Sequence, residues 1–278
     1  EWNKSAKGAR EVRGKSLGIV GYGHIGSQVS ILAEALGLDV YFYDVVKKLP
    51  LGNAKSKKTL KDLLAVSDFV TLHVPETPET RDMITKKEIY QMKEGAYLIN
   101  ASRGNVVVIN DLKTALKEKH LAGAAVDVYP EEPKDNLEKF ASALQGIPNV
   151  ILTPHIGGST EDAQEAIGHE VTNSLLGYMN EGKSYGAVQF PPVDVPPLKK
   201  GVCRLLNVHK NVPGVLGEVN SIVSKYGVNI AAQYLATNSQ IGYLVMDLES
   251  PAAKAKQVKD AVAELKTSLK NRLVTLPS

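Results

Sequence analysis

Residues 16–26 read Ser-Leu-Gly-Ile-Val-Gly-Tyr-Gly-His-Ile-Gly, an apolar run that passes into the pattern G-x-G-x-x-G. The pattern alone is common, but here it ends a predicted strand, opens a predicted helix, and is followed by Asp44, which ends the next apolar run 18 residues after Gly26. In this setting Gly21 permits a tight turn, Gly23 lets the backbone approach a pyrophosphate, and Gly26 allows close packing of helix on strand. The N–H groups at the helix N-terminus attract the anion. The stretch predicts a dinucleotide-binding site, with a purely structural glycine-rich turn as the alternative.

The residue that ends the second apolar run bears on which dinucleotide binds. Asp44 can accept hydrogen bonds from both hydroxyls of the adenine ribose of NAD. The same carboxylate would repel the 2′-phosphate of NADP, and no arginine follows it. We therefore predict NAD as the cofactor, while Lys47 and Lys48 leave NADP open as an alternative.

From residue 15 to residue 155 the sequence repeats one unit, in which a short apolar run and a turn precede an amphipathic stretch of helical length. The pattern predicts six strands, at residues 16–21, 39–44, 69–74, 96–102, 123–129 and 149–155. These runs are continuously rich in Val, Ile and Leu, as is typical of strands buried on both faces of a parallel sheet. The predicted fold is α/β, a doubly wound parallel Rossmann sheet.

Apolar residues at helical spacing mark the helices between these strands. The first helix carries Ile25, Val29, Leu32 and Leu36 and stops at Gly37, the second carries Leu60, Leu63 and Leu64, and another carries Leu112, Ala115 and Leu116 after Asn110 as the N-cap. After residue 158, Ser159 and Asp162 have the spacing of a capping box. They introduce a long helix over 161–179, whose apolar stripe is Ala163, Ala166, Ile167, Val171, Leu175 and Tyr178.

The last third of the chain has a different pattern of predicted strands and helices. Residues 184–201 contain four prolines and are predicted to be an extended linker. Beyond it the pattern predicts a strand, a helix, two strands, a helix and a strand, at residues 202–209, 213–226, 228–237, 241–249, 252–269 and 272–276. This βαββαβ order is the ferredoxin-like arrangement.

Composition sets broad limits. The chain has 278 residues, 43% hydrophobic and 23% charged, long enough for about two domains. Its 33 basic and 30 acidic residues are mixed along the sequence, so we expect no binding of nucleic acid through bulk charge. No run of 18 apolar residues and no signal-peptide order occurs, so a soluble, cytoplasmic protein without membrane contact is expected. The single cysteine, Cys203, is expected to be a buried structural thiol, and no metal site is predicted.

Three polar residues stand at equivalent places after predicted strands: Arg103 after the fourth, Glu132 after the fifth and His155 at the end of the sixth. Ligands of open α/β sheets bind outside the carboxyl ends of the strands, so we expect all three at one crevice. His155 would take the hydroxyl proton of a 2-hydroxy acid as hydride leaves the carbon. Glu132 would favour the imidazolium and fix the tautomer, and Arg103 would bind the substrate carboxylate. An ordinary surface acid is the alternative for Glu132.

Four strings carry a family resemblance: residues 21–26, 100–104 (Asn-Ala-Ser-Arg-Gly), 127–133 (Asp-Val-Tyr-Pro-Glu-Glu-Pro) and 153–160 (Thr-Pro-His-Ile-Gly-Gly-Ser-Thr). With them the chain resembles the D-isomer-specific 2-hydroxyacid dehydrogenases. The resemblance implies NAD as the cofactor and Arg103, Glu132 and His155 as the catalytic set. It further implies that Asp127 lies near the carboxamide of NAD, and that the residues around NAD are His24, Ile25, Asp44, Ala101, Ser102, Arg103, Asp127, His155, Gly157 and Gly158.

Residues 49–53 (Leu-Pro-Leu-Gly-Asn), residues 189–191 (Gln-Phe-Pro) and the C-terminal module resemble one branch of that family, which oxidises 3-phosphoglycerate and ends in an ACT domain. The resemblance implies NAD-dependent oxidation of 3-phospho-D-glycerate to 3-phosphohydroxypyruvate, the first step of L-serine biosynthesis. It also implies a homotetramer that L-serine inhibits. The ACT module would bind serine between two copies through His209, Asn211 and Asn229. A cap on the helix near residue 213 is the alternative role of Asn211.

The resemblance also predicts the domain organisation. Residues 1–157 are an NAD-binding Rossmann domain, 158–200 the return helix of a substrate domain with its proline-rich linker, and 201–278 an ACT regulatory domain. Two departures matter. Val108 stands where the family usually has Asp, from which we expect altered loop contacts rather than lost chemistry. In this family an N-terminal segment completes the substrate domain, and the resemblance therefore implies that this segment lies outside the chain, with Lys4 as a candidate substrate contact.

Two other functions stay open at this point. One is another D-2-hydroxyacid dehydrogenase, such as a hydroxypyruvate or glyoxylate reductase. The other is a catalytically incomplete fragment that binds the cofactor and serine. In that case the long helix over 161–179 would expose its apolar stripe.

Overall fold

A seven-stranded parallel sheet forms the first half of the computed structural model, which describes residues 4–5, 9–135 and 137–276. Its strands are β1 (Ser16–Val20), β2 (Asp39–Tyr43), β3 (Lys55–Ser56), β4 (Phe69–Leu72), β5 (Ala96–Asn100), β6 (Leu121–Val126) and β7 (Val150–Leu152). They lie in the order β3-β2-β1-β4-β5-β6-β7. The strand order reverses at β1, so a crevice opens at the carboxyl ends of β1 and β4. The doubly wound parallel sheet is confirmed.

The strands are connected by α1 (His24–Ala35), α2 (Leu60–Val66), α3 (Lys86–Ile89), a 3-10 turn (Gly104–Val106) and α4 (Ile109–Lys117). All five residues of β1 are buried, as expected for a strand covered on both faces. The structure adds β3 to the six predicted strands. Both residues of β3 are exposed and pair with β2, so this edge strand has no apolar run by which the sequence could predict it.

Helix α1 buries little of the apolar stripe that its sequence predicts: of the four predicted residues, Val29 alone is partly buried and packs against the core. Ile25, Leu32 and Leu36 are 64%, 65% and 67% exposed. The buried positions of the helix are instead small: Gly26, Ser30 and Ala33. A Cβ on Gly26 would lie 2.1 Å from the carbonyl oxygen of Gly21, so glycine is required for this close approach of α1 to the end of β1.

Two helices begin one or two residues away from the predicted caps. The N-cap of α4 is Val108, not Asn110, because pairing of this segment with Ile84 keeps the backbone extended up to Val108. The N-cap of the long helix α5 (Glu161–Glu181) is Thr160, whose hydroxyl accepts from the N–H of Ala163 at 3.2 Å, so the predicted Ser159 cap is wrong. In both cases the direction of the preceding backbone determines the first helical residue.

The chain divides into two compact units, Glu1–Gly158 and Ser159–Ser278. After α5 the second unit contains β8 (Val202–Lys210), α6 (Val215–Lys225), β9 (Asn229–Thr237), β10 (Ile241–Glu249), α7 (Ala252–Ala263) and β11 (Ser268–Val274). The antiparallel sheet has the order β11-β8-β10-β9, which confirms the βαββαβ arrangement. Helix α7 is shorter than predicted because the chain from Ser268 onward pairs with β8. The three-segment division at residues 157 and 200 stays a prediction.

Residues 184–201 are extended as predicted, yet they pack on the antiparallel sheet. The face of this sheet that carries Leu205 packs against α6 and α7. The opposite face, which carries Leu206 and Tyr243, is covered by Val193 and Val195, both at most 5% exposed. The hydroxyl of Ser184 donates to the carbonyl of Pro191 and accepts from the N–H of Val193, and so folds the segment back on itself. The linker is therefore a covering layer of this module.

A buried ion pair ties α5 and this segment to the sheet. The guanidinium of Arg204, which is 0% exposed, contacts the carboxylate of Asp247 at 2.6 and 2.8 Å. It also donates to the carbonyls of Glu181 at 2.9 Å and Pro196 at 3.0 Å. A buried guanidinium is stabilised only where its donors are matched in this way.

Cys203 is buried, as predicted, with its Sγ 3.4 Å from the carbonyl oxygen of Ser250. Burial raises the pKa of this thiol, which favours the neutral form. Within residues 4–5, 9–135 and 137–276, no helix has both the length and the apolar character needed to cross a bilayer. The same residues contain no group of three or more His, Cys, Asp or Glu side chains placed to hold a metal ion.

The start of α4, which no side chain of the described residues caps, gives a first prediction. The substitution Val108→Asp supplies a side chain that can accept a hydrogen bond from the first turn of the helix, so the free energy of unfolding should rise by about 1 kcal/mol. Urea denaturation of both proteins measures the change. The matched control is Asn110→Ala, at the exposed second residue of α4. This substitution should change the free energy of unfolding by less than about 0.5 kcal/mol. A loss of about 1 kcal/mol in Asn110→Ala, or no gain in Val108→Asp, would contradict the observed cap.

A second prediction concerns Asp68, at the amino ends of β1 and β4. Its Oδ2 accepts from the backbone N–H and the hydroxyl of Ser16, both at 2.8 Å, and its Oδ1 lies 3.0 Å from the ammonium of Lys93. Partial burial acts to raise the pKa of Asp68, but the Ser16 hydrogen bonds and the Lys93 charge outweigh it and hold the pKa below its ordinary value. A lowered pKa in the folded state means that ionised Asp68 stabilises the fold at neutral pH.

Substitution of Asp68 by Asn should therefore lower the free energy of unfolding at pH 7 by about 1 kcal/mol, since the pair is partly exposed. The stabilisation is present above the unfolded-state pKa of about 3.9 and is lost as pH falls through the lower folded-state pKa. Urea unfolding between pH 7 and pH 2.5 should thus show the two proteins converging below about pH 4. The exposed Asp39, at the same end of β2, provides the control Asp39→Asn, for which a similar pH-dependent difference would contradict the assignment.

Candidate active site

The glycine turn after β1 is open to an anion. Gly21 has φ +90°, and a Cβ there would lie 2.4 Å from the carbonyl oxygen of His73. Gly23 is the N-cap of α1; no side chain of the described residues caps this helix, and no described atom lies within 4 Å of the position of a Cβ on Gly23. The next two residues, His24 and Ile25, are exposed at the start of the helix. The N-terminal amides of α1 and the bare Gly23 backbone can therefore receive a phosphate group.

Asp44, directly after β2, is held beside this turn by two backbone amides. Its Oδ2 accepts from the N–H of Tyr22 and its Oδ1 from the N–H of Val46, each at 2.8 Å. The carboxylate is half-buried. These bonds fix an acidic acceptor next to the glycine turn, where the sequence predicts the adenine ribose of a dinucleotide.

The loop after β5 carries Arg103 and is organised by a buried amide. Asn100 is 1% exposed; its Oδ1 accepts from the N–H and hydroxyl of Ser102, and its Nδ2 donates to the carbonyl of Arg103 at 3.1 Å. The side chains of Arg103 and Ala101 are exposed. Nη1 of Arg103 donates to the carbonyl of Ser102. A Cβ on Gly104 would lie 2.0 Å from the backbone of Tyr129, so glycine here brings the loop after β5 against the loop after β6.

His155 and Glu132 form a hydrogen-bonded pair beyond the carboxyl ends of β6 and β7. The imidazole Nδ1 lies 2.8 Å from Oε2 of Glu132, and the other carboxylate oxygen accepts from the N–H of Tyr129 at 2.9 Å. A carboxylate only accepts, so Nδ1 carries the proton and the tautomer leaves Nε2 of neutral His155 as an acceptor. Both side chains are partly exposed, at 44% and 35%. The pair is thus an oriented base that a substrate can reach.

The backbone of His155 is in the left-handed region, with φ +51°. Non-glycine residues pay conformational energy for this geometry, and the surrounding structure must hold it. Here Oδ1 of Asp127 accepts from the N–H of His155 at 3.1 Å and from the hydroxyl of Thr153 at 2.5 Å. Asp127, which the resemblance places near the carboxamide, therefore also fixes the direction in which His155 leaves β7.

Tyr129 connects the two loops. Its hydroxyl lies 2.9 Å from the carbonyls of Val126 and Thr153, at the ends of β6 and β7. Burial, the charge of Asp127 and, more weakly, that of Glu132 raise the pKa of Tyr129, although the bond to Thr153 acts the other way. The hydroxyl therefore keeps its proton and donates it. Sequence reasoning did not assign Asn100, Tyr129 or Thr153, because their contacts follow from strand register.

The remaining predicted residues of the first unit are less constrained. Gly157 and Gly158 follow His155 in an exposed segment. Lys4 is exposed as well, with its neighbours at residues 1–3 and 6–8 outside the described part of the chain, so its role stays a prediction.

In the second unit, the three predicted effector residues do not form one cluster. Asn211 follows β8 at one end of the sheet, where its Nδ2 donates to the carbonyl of Asn238; the N-cap of α6 is Gly214, so Asn211 does not cap that helix. Asn229 begins β9 and donates to Glu249, at the far end of β10. The two ends are separated by the length of β10, about 26 Å at 3.3 Å per residue.

His209, at the Asn211 end of β8, is only 3% exposed. Its Nδ1 lies 2.8 Å from Oδ1 of Asn207, whose Nδ2 donates to Ser268 and Asn271 on β11. Burial lowers the pKa of His209, so the imidazole is neutral at physiological pH. His209 and Asn211 thus lie at one end of the module and Asn229 at the other, and His209 is buried within its module.

Comparison with known proteins agrees with both modules. Residues 1–157 match the family described as D-isomer specific 2-hydroxyacid dehydrogenase, NAD binding domain, and residues 205–270 match the AHAS small subunit-like ACT domain. D-3-phosphoglycerate dehydrogenases of Dictyostelium discoideum and Escherichia coli K12 are 52% and 53% identical over 273 residues. These matches cover 98% of the chain but 66% of each relative, so the chain spans slightly less than two thirds of their length.

Among solved structures, NAD-dependent formate dehydrogenase from Staphylococcus aureus in complex with NAD has a TM-score of 0.59 and 30% identity, covering 67% of this chain and 55% of that one. D-Lactate dehydrogenase from Aquifex aeolicus, complexed with NAD and lactic acid, has a TM-score of 0.56 and 34% identity, covering 64% and 57%. The family match over residues 1–157 confirms the resemblance drawn from the four sequence strings. The chain belongs to the D-isomer-specific 2-hydroxyacid dehydrogenases and carries the NAD-binding domain of that family together with an ACT domain.

Proposed function

We propose that this chain is the cofactor-binding and regulatory part of a cytoplasmic homo-oligomer, a homotetramer by family resemblance. It would oxidise 3-phospho-D-glycerate to 3-phosphohydroxypyruvate with NAD, the first step of L-serine biosynthesis, under inhibition by L-serine. The observation that carries the catalytic part is the His155–Glu132 pair at 2.8 Å, at the same sheet edge as the glycine turn. The substrate follows from the relatives, which are 3-phosphoglycerate dehydrogenases at about half sequence identity.

The residues present fit NAD. A Cβ at Gly21 or Gly26 would collide with backbone oxygens, while Gly23 leaves the start of α1 bare, which is the cradle that a pyrophosphate needs. Asp44 would hold the ribose hydroxyls, and its charge disfavours a 2′-phosphate. His24, Ile25, Ala101, Ser102, Asp127, Gly157 and Gly158 would complete the site. The chemistry that NAD supplies when bound is acceptance of a hydride.

The three catalytic side chains would share the remaining work. Nε2 of His155 accepts the proton of the substrate hydroxyl as its carbon loses hydride, so that the C–O bond becomes a carbonyl. The carboxylate of Glu132 stabilises the imidazolium that results and keeps the ring oriented. Arg103 binds the substrate carboxylate through its guanidinium fork. Asp127 holds the backbone of His155 through this step.

The regulatory part of the proposal is supported by the register of the antiparallel sheet. Since Asn211 and Asn229 lie at opposite ends of one module, a serine that contacts both must bind between two copies. The amide side chains can satisfy the ammonium, carboxylate and hydroxyl groups of serine, and neutral His209 can add one more hydrogen bond. Regulation would therefore require association of ACT modules.

Titration calorimetry of this chain with NADH, beside a turnover assay on 3-phosphoglycerate, tests the catalytic proposal. We expect NADH to bind, and binding should persist in Glu132→Gln because the Glu132 side chain contacts His155 rather than the dinucleotide. In protein that turns over, Glu132→Gln should lower kcat by about 100-fold or more. Glu131→Gln, in the same loop, is the matched control and should keep its activity.

Failure of the chain to bind NADH would refute the cofactor site. Binding without turnover would support a fragment that lacks part of the substrate cleft, and faster turnover of glyoxylate than of 3-phosphoglycerate would favour the reductase alternative.

The serine site can be tested by mixing variants. Asn211→Ala and Asn229→Ala should each abolish serine binding in calorimetry, because every site between two copies then lacks one ligand. A mixture of the two variants should recover part of the binding, since one kind of mixed interface pairs the intact Asn211 of one copy with the intact Asn229 of the other. Normal serine binding by the Asn211→Ala, Asn229→Ala double variant would exclude this assignment.

A further inference from the structure

The loop between β2 and β3, residues 44–54, presents apolar side chains to solvent directly beyond Asp44. Val45 and Leu49 are 87% and 85% exposed, and Val46 and Leu51 are exposed to a lesser degree. Exposed apolar side chains do not stabilise a surface that faces only water, whereas they can form one wall of a ligand site. The loop is short and begins at the carboxylate that would hold the adenine ribose. Its shape therefore bears on the adenosine end of the cofactor site.

The first contact that holds this loop comes from Tyr22, which lies between Gly21 and Gly23 in the glycine pattern. The Tyr22 hydroxyl accepts from the N–H of Leu51 at 3.2 Å and donates to the buried hydroxyl of Ser30 at 2.9 Å. Its ring stacks on Phe42 of β2 with 3.8 Å between centroids. Its own N–H binds Asp44, so one residue joins the phosphate turn, the ribose acid and the returning half of the loop.

The second contact comes from Glu34, in the last turn of α1. Its Oε1 accepts from the side-chain amide of Asn53 at 2.7 Å, and its Oε2 accepts from the backbone N–H of Asn53 at 3.0 Å. The neighbouring Gly52 has φ +56°, and a Cβ there would lie 2.1 Å from a Glu34 carboxylate oxygen. Glycine at this position therefore suits the positive φ and leaves room for the Glu34 carboxylate.

These contacts fix the loop at Leu51 and Asn53, while Asp44 fixes it at Val46. Only residues 47–50, which include Leu49, lie between the fixed points, so the backbone on both sides of this short stretch is held before any ligand arrives. A site organised in advance loses less conformational entropy on binding.

We propose that Tyr22 and Glu34 are positioning residues for the cofactor, which act by holding the β2–β3 loop as a preformed wall of the adenosine site. The inference rests on the proposed NAD site. Neither side chain needs to touch the dinucleotide, and their effect is confined to the end that carries the adenosine.

Calorimetric titration of the full chain with NADH and, separately, with 5′-AMP tests this role. In Glu34→Gln the new NH₂ group faces an Asn53 N–H donor and cannot accept from it, so one of the two hydrogen bonds to the loop is lost. The Kd of NADH and the Kd of 5′-AMP should then both rise by about tenfold. Adding Asn53→Asp to Glu34→Gln restores a complementary pair with donor and acceptor exchanged, and should return both affinities to within about twofold of the original. Glu94→Gln, in the exposed turn before β5, is the matched control and should leave both unchanged.

Tyr22→Phe tests the other contact. Combining it with Ser30→Ala removes the buried hydroxyl that would otherwise lose its partner, so the pair of substitutions isolates the loss of the Leu51 contact. We expect the same fall in affinity for both ligands, with the ring stack on Phe42 retained.

The outcomes separate this inference from the proposed function. If the unsubstituted chain does not bind NADH, the cofactor site itself is refuted. If it binds, and Glu34→Gln binds NADH and 5′-AMP as tightly as the control, the positioning role is overturned. A fall for NADH alone, or a fall that the exchanged pair does not reverse, also overturns it.

Discussion

Parallel strands with one direction place all their carboxyl ends at one edge, and every predicted function of the first unit depends on that constraint. The glycine turn follows β1, Asp44 follows β2, Arg103 follows β5, and His155 follows β7. Residues separated by more than a hundred positions in sequence thereby reach the same edge. Small residues then set the spacing: Gly26 lets α1 approach the end of β1, and Gly104 lets the loops after β5 and β6 meet. The proposed chemistry needs only a few side chains, and the sheet brings those side chains to one edge.

Much of this architecture could be predicted from the sequence because its signals are local. The apolar runs, the glycine pattern with Asp44, and the βαββαβ order each predict an element from neighbouring residues alone. The catalytic set that the family strings imply stays a prediction. The structure departs from these predictions for two reasons. Strand β3 has too few residues to form an apolar run, and the starts of α4 and α5 are determined by the direction of the preceding backbone, so the caps are Val108 and Thr160.

Other features depend on strand register, which no local pattern contains. The hydroxyl of Thr153 reaches Asp127 because β6 and β7 pair up to Val126 and Leu152, which leaves the next residues side by side. Register likewise separates Asn211 from Asn229 by the length of β10, although both lie in one small module. In α1 most of the apolar stripe is exposed and only Val29 of it packs on the core, since the helix approaches the sheet through its small residues. Composition predicts which residues can be buried, and close packing decides which of them are.

The proline-rich segment before β8 has a practical consequence for dividing this protein. By composition it is an obvious place to cut, and residue 201 would be the natural start of an isolated ACT module. Yet Val193 and Val195 cover the sheet face that carries Leu206, Tyr243 and Val245, and Arg204 binds the carbonyls of Glu181 and Pro196. A truncation at residue 201 would uncover that apolar face and leave two donors of a buried guanidinium without acceptors. The structural boundary of the ACT module therefore lies upstream of its first strand, and a truncated form intended to be soluble should retain the segment from Glu181 onward.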